Sequence, residues 1–303
     1  MKNNALTGRD LAAALAVVLI WGVNFVITKL ALRDFTAFQL GAIRFTFAAL
    51  PLALFFKPPR IHWKWVVLYG VFQGVGQFGL MFLSLKVGMT AALASVMLQT
   101  QVFFTALFGF VLLRERAGRP LQAGMVLAAL GLCCFALNYV NPGAAGPGAT
   151  TVLGFLLILC AAAMWAASNI VARRVQQIHA DYSPVAFVVW SSAVAILPFV
   201  LLSWLFDPEA VRWRWLDAHW TSWVEVGYLA WMATIVGYSL WTWLLKRHPA
   251  NRVAPFGLGV PVVGLATGMI ALGETIMPWQ WAGIALVVAA LACVMLGGLL
   301  RRR

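Results

Sequence analysis

Residues Val17 to Leu32 read VVLIWGVNFVITKLAL. Nearly all of this would dissolve in lipid. Yet Trp21, Asn24 and Thr28 recur at i, i+3 and i+7 and share one helical face, with Lys29 beside them near the end. A helix surrounded by hydrocarbon has no use for polar side chains, because no water is present to satisfy them. The stretch predicts a membrane-crossing helix with one face turned away from lipid.

Composition supports the membrane. Of 303 residues, 63% are hydrophobic and 10% charged, against about 45–50% and about 25% in soluble domains. The net charge of +13 does not mark a nucleic-acid binder, because the basic residues sit in short loops and form no stripe. Cys133, Cys134, Cys160 and Cys293 lie in apolar runs without CxxC spacing or a neighbouring His, and read as buried, inert thiols. No disulfide, metal or cofactor is implied. No cleavable signal is expected, since the first apolar run is too long and no small-residue cleavage pattern follows it.

Crossing the hydrocarbon takes about 20 helical residues. Ten runs are read as spans: 10–32, 37–56, 65–86, 89–113, 120–140, 151–175, 183–206, 222–246, 250–273 and 279–299. Gly88 supplies the turn between the third and fourth. With the N-terminus inside, the inner segments hold Lys2, Arg9, Lys57, Arg60, Lys64, Arg114, Arg116, Arg119, Arg173, Arg174, Lys246, Arg247, Arg252 and Arg301 to Arg303. The outer segments hold Lys29, Arg33, Lys86, Arg212 and Arg214. Cytoplasmic enrichment of Lys and Arg places both termini in the cytoplasm. The one sizeable outer loop, DPEAVRWRWLDAHWTSW from Asp207, carries tryptophans suited to a headgroup belt.

The chain repeats itself. WGVNFVITK from Trp21 faces WAASNIVAR from Trp165, Pro51 matches Pro198, and RERAGRPLQAG from Arg114 matches GETIMPWQWAG from Gly273 with Glu115 set on Glu274. The offset between matches grows across the long outer loop, where an insertion is easiest. The halves are 10–140 and 151–299, joined by a linker at 141–150. Five spans per half force the halves to cross in opposite directions, and inverted repeats are a transporter signature.

WGVNFVITK, AIRFTFAALP, GQFGLMFLSLKVGMTAALASVMLQTQVFFTALFGF, ATIVGYSLW and RVAPFGLGVPVVGL together resemble the EamA family of the drug/metabolite transporter superfamily, over nearly the whole chain. The resemblance implies an all-α fold of ten helices in two inverted repeats around a central cavity, in a bacterial inner membrane. It also implies export of small amino-acid metabolites such as cysteine and O-acetylserine. The superfamily carries diverse solutes, and the many Trp and Phe leave other amino acids, purines and hydrophobic drugs open.

Polar residues gather on some spans and avoid others. The sixth span repeats the first with Trp165, Ser168 and Asn169. Gln73 and Gln77 lie one turn apart in the third, Ser95 with Gln99 and Gln101 with Thr105 pair in the fourth, and Trp231, Thr234, Tyr238 and Trp241 align in the eighth. Between Gly124 and Leu137, and between Ala282 and Gly297, nothing is more polar than Cys, so the fifth and tenth spans read as scaffold facing lipid or a second copy in a homodimer. Each polar residue alone has a plainer reading as interhelical glue, worth about 0.6 kcal/mol, and Trp21 and Trp165 could be packing anchors. As a set they mark a cavity lined by spans 1–4 and 6–9. Gly70 with Gly74 and Gly264 with Gly268 are small-residue pairs for close helix contact. In GLGVPVVG, from Gly257, a kink at Pro261 either frees carbonyls towards the cavity or bends the packing.

Arg44 is the one charge well inside a span, roughly 10 Å deep at about 1.5 Å per residue. No carboxylate lies at similar depth; Glu225 is the nearest. Either Arg44 meets a carboxylate-bearing solute through its guanidinium fork, or it reaches the headgroups along its aliphatic stem. Lys29, closer to the surface, favours the second behaviour. Proton-coupled carriers use deep Asp, Glu or His, and none is seen, so uncoupled or exchange transport is expected. HExxH, GxSxG and paired membrane aspartates are missing, which argues against an intramembrane enzyme. The expected function is a transporter for a small solute, with Trp21, Asn24, Thr28, Arg44, Gln73, Gln77, Gln99, Gln101, Trp165, Asn169, Tyr238 and Trp241 as its cavity residues.

Overall fold

A computed structural model describes residues 7–113, 118–140, 150–179, 181–248 and 250–300. Glu115 and nearly all of the expected linker lie outside the described residues, which are helical with no strand among them. In chain order the main helices are α1 (Gly8–Ala31), α2 (Ala37–Ala53), α3 (Trp63–Lys86), α4 (Ala91–Leu112), α5 (Arg119–Val140), α6 (Val152–Ile178), α7 (Pro184–Phe206), α8 (220–247), α9 (Pro255–Leu272) and α10 (Pro278–Leu300). All but α2 and α8 are long and apolar enough to cross a membrane. α2 is apolar but has 17 residues. α8 is diluted by Glu225, Tyr228, Thr234, Tyr238 and Thr242.

Helix starts are set by side chains that satisfy otherwise orphaned N–H groups. Thr7 with Asp10, and Thr36 with Gln39, form capping boxes. Thr90, Thr151 and Ser183 cap α4, α6 and α7. Gly88 makes the α3–α4 turn at φ +120°, a conformation that side chains disfavour, and Gly273 ends α9 at φ +63°.

The main helix pairs recur when the halves are exchanged. α2 packs on α7 and α5 on α10, each helix on its repeat mate; α1 packs on α8 and α9 as α6 packs on α3 and α4. α4 meets α9 at the centre. A further feature obeys the exchange: α3 is a π-helix over Gly70–Gly79 and α8 over Tyr228–Val236. π segments are rare and cluster at functional sites.

Glycines set the close approaches. A Cβ at Gly74 would meet Ala195 Cβ at 2.5 Å across α3 and α7, and one at Gly124 would meet Val294 at 2.5 Å across α5 and α10. Val126, Leu130 and Leu137 of α5 remain exposed on its other face. The expectation of buried thiols is corrected: Cys133 and Cys160 are exposed, and Cys134 and Cys293 are half-buried. Cys packs as readily against lipid as against protein.

We call the end where α1 begins the near end, and the end where α1 stops the far end. At the far end the halves are braced by carboxylates. Asp207 accepts from Thr36 Oγ1 at 2.7 Å and from Ser203 Oγ at 2.6 Å. Asp34 accepts from Ser222 Oγ at 2.8 Å and from the His219 N–H at 3.1 Å. These bonds hold the Asp34 carboxyl below the usual carboxylate range. A depressed folded pKa contributes stability above the unfolded value, about 3.9, and loses it as pH falls through the folded value. Thermal unfolding of the purified protein should fall in this acid window, and Asp34→Asn should be less stable at neutral pH with a flatter acid limb.

Candidate functional site

A cavity of about 380 Å³ lies along the inner faces of α1, α3, α4, α6, α8 and α9, with side chains of α2 and α10 reaching it. Trp21, Asn24, Arg44, Gln73, Gln77, Gln99, Gln101, Trp165, Asn169, Tyr238 and Trp241 line it together. Thr28 does not. Its buried hydroxyl donates to the Asn24 carbonyl of its own helix at 2.7 Å, which spares it any partner across the bundle. α7 contributes no lining residue, while α10, expected as scaffold, contributes Leu291 and Met295.

Arg44 is 1% exposed, so it does not reach the headgroups. Its partners are weak. One terminal nitrogen donates to Asn24 Oδ1 at 3.5 Å, the other to Thr234 Oγ1 at 3.3 Å, and Nε has no partner. Glu225 is not among them. The guanidinium lies over the Phe78 ring, 4.3 Å from its centroid, a cation–π contact that counts for most where water is excluded. A guanidinium carries five donors; two long bonds leave it short of acceptors, and among the described residues no carboxylate lines the cavity.

Two amide clusters tie α6 to the first half. Ser168 Oγ donates to Gln73 Oε1 at 2.5 Å, and Gln73 Nε2 donates to Gln77 Oε1 at 2.9 Å. Asn169 Nδ2 donates to Gln101 Oε1 at 2.8 Å and Thr105 Oγ1 at 3.3 Å. The glue and lining readings are therefore not exclusive: the same amides bond across helices and face the cavity.

The opposite wall is aromatic. Trp21 packs against Tyr238 and Trp241 with centroids 5.1 and 5.6 Å away, and its N–H donates to the Ala233 carbonyl at 2.9 Å. Ala233 and Thr234 are adjacent in the π segment, so neighbouring residues hold Trp21 and Arg44. The Gly257 stretch kinks as a 3-10 turn over Ala254–Leu258, and the Pro261 carbonyl accepts from Ser95 Oγ at 3.4 Å. Gly257, Leu258 and Val260 line the cavity. The sequence reading missed Tyr69, Phe78, Met81, Leu291 and Met295. All but Tyr69 are apolar residues in apolar helices, and only a three-dimensional neighbour distinguishes their faces. Tyr69 was legible as a polar tip beside Gln73, one turn on.

The EamA-like transporter family profile matches residues 10–137 and 152–296, once in each half. This chain belongs to that family. It is 37% identical to a probable amino-acid metabolite efflux pump of Salmonella typhimurium over 98% of both chains, and 34% identical to one of Escherichia coli over 94% of both. The threonine/homoserine exporter RhtA of Escherichia coli is 30% identical, over 82% of this chain and 78% of its own. A crystal structure covering 97% of this chain and 98% of its own shares the fold, with a TM-score of 0.61 at 19% identity. This EamA-family chain is thus a multi-pass membrane transporter by family and by its apolar helices.

Proposed function

We propose that the protein exports small amino-acid metabolites from the cytoplasm by alternating access. Ten membrane-crossing helices form two inverted repeats, 10–140 and 151–299, with both termini on the cytoplasmic side of a bacterial inner membrane. The observation that carries the solute class is Arg44: a buried guanidinium, short of acceptors, in a cavity with no carboxylate among its described lining residues. A solute carboxylate supplies the two coplanar acceptors that the fork lacks. Trp21, Tyr238 and Trp241 offer ring faces to an α-ammonium. A second cationic group would meet no counter-charge, so lysine-like solutes are disfavoured. A volume of about 380 Å³ suits a small solute. The relatives' names, for amino-acid metabolite efflux and threonine/homoserine export, support the same class.

Cysteine and O-acetylserine are the solutes to try first, with threonine and homoserine beside them. The experiment is efflux of each labelled solute from preloaded proteoliposomes, with the parent protein and with Arg44→Ala. Protein-dependent efflux that the substitution removes supports the reading. Efflux that survives it demotes Arg44, and no efflux of any of the four from folded protein overturns the solute class.

A further inference from the structure

The cavity extends towards the near end through Tyr69, Trp241, Gly257 and Met295 and stops short of the far end. A second cavity of about 510 Å³ lies at the far end, lined by Lys29, Arg33, Lys86, Thr90 and Glu274 among others. Both border α1, α4 and the α9 region. The layer between them is close-packed. Ala91 to Ala94 are buried, a Cβ on Gly264 would overlap Ser95, and one on Gly268 would meet the Ala92 nitrogen at 2.9 Å.

The far edge of this layer is fastened by charge. Glu274, just past α9, accepts from the Ala91 and Ala92 N–H groups through its two oxygens, each at 2.7 Å. Lys29, at the end of α1, lies 3.7 Å from Glu274 and donates to the Met89 carbonyl at 2.5 Å. One carboxylate and one ammonium therefore tie together α1, the start of α4 and the loop after α9. The Glu274 side chain is 8% exposed, yet it borders the second cavity.

We propose that Lys29 and Glu274 form the latch that closes the solute path at its far end, with the second cavity as the vestibule beyond. The start of a helix presents orphan N–H groups and a positive dipole end, so an anion there is held firmly. It is also released cleanly, because its groups and the freed N–H donors can turn to water in the vestibule. The seam beneath is built of small residues, Gly264 and Gly268 against Ser95 and Ala92, whose smooth faces part without disengaging long side chains. The purpose of the latch rests on the exporter reading; its test needs only that the far end faces outside.

The test reads access rather than transport. In a background with the four cysteines replaced by alanine, Gln99→Cys places a thiol in the central cavity. Cells are treated from outside with a membrane-impermeant maleimide. The latch predicts slow labelling in this parent and labelling at least about tenfold faster when Glu274→Gln or Lys29→Met is added, since charge-assisted bonds of this kind are lost in each. Glu274→Gln keeps the side-chain shape, and Lys29→Met breaks the pair from the other side, so either variant that folds gives an answer. Unchanged labelling in the folded variants overturns the latch. Faster labelling with no export of any solute keeps the latch and overturns the exporter reading.

Discussion

Arg44→Ala is expected to abolish solute efflux while the bundle stays folded. Removing one partner of a buried charge pair costs about 2–5 kcal/mol, so efflux at limiting solute should fall by at least about 30-fold. Arg44→Lys keeps the charge but loses the planar fork and should recover only part of the rate. Stability should move the other way. The empty site holds a desolvated guanidinium on two long hydrogen bonds, and replacing a buried, poorly paired charge by an apolar side chain is often neutral or stabilising. Arg44→Met should therefore unfold at an equal or higher temperature than the parent while failing to export. A variant that loses both activity and stability would mark Arg44 as a structural residue.

Gly264→Leu is expected to be among the most damaging single changes in the chain. A Cβ at this position would overlap the Cβ and Oγ of Ser95, where α9 crosses α4. Both atoms belong to a buried residue on a rigid helix, so the helices themselves must separate. Overpacking by added methylenes costs about 1–3 kcal/mol, and here it falls on the layer that divides the two cavities. The variant should unfold at lower temperature and leak preloaded solute. Gly227→Ala serves as the control, because a Cβ there meets nothing within 4 Å. Equal stability of the two variants would show that the seam yields more easily than its spacing implies.

Much of this was legible in the residues, for a physical reason. Lipid punishes an unpaired polar group, so a polar face inside an apolar run is an unambiguous signal. Asn24, Gln73, Gln101 and Asn169 were found that way, and all four face the cavity. Thr28 carried the same signal and is misplaced, because a threonine hydroxyl can satisfy itself on its own helix. The Lys29–Glu274 pair was not legible: its members are far apart in sequence, and each looked like an ordinary charge at a helix end. The π segments were also hidden, since hydrogen-bond register leaves no mark in hydropathy.

That register has a consequence for Arg44. Thr234 Oγ1, which accepts from the guanidinium, donates to the Leu229 carbonyl five residues earlier, along the wider winding of the π segment. In an α-helix each residue turns about 100° from the last. Deleting one residue to restore that winding would swing Thr234 away and bring a different neighbour to Arg44, with the rest of the lining chemically unchanged. The electrostatics of the cavity are thus written partly in backbone phase. Relatives with identical lining residues but a different winding of α8 would differ in how strongly they hold an anion.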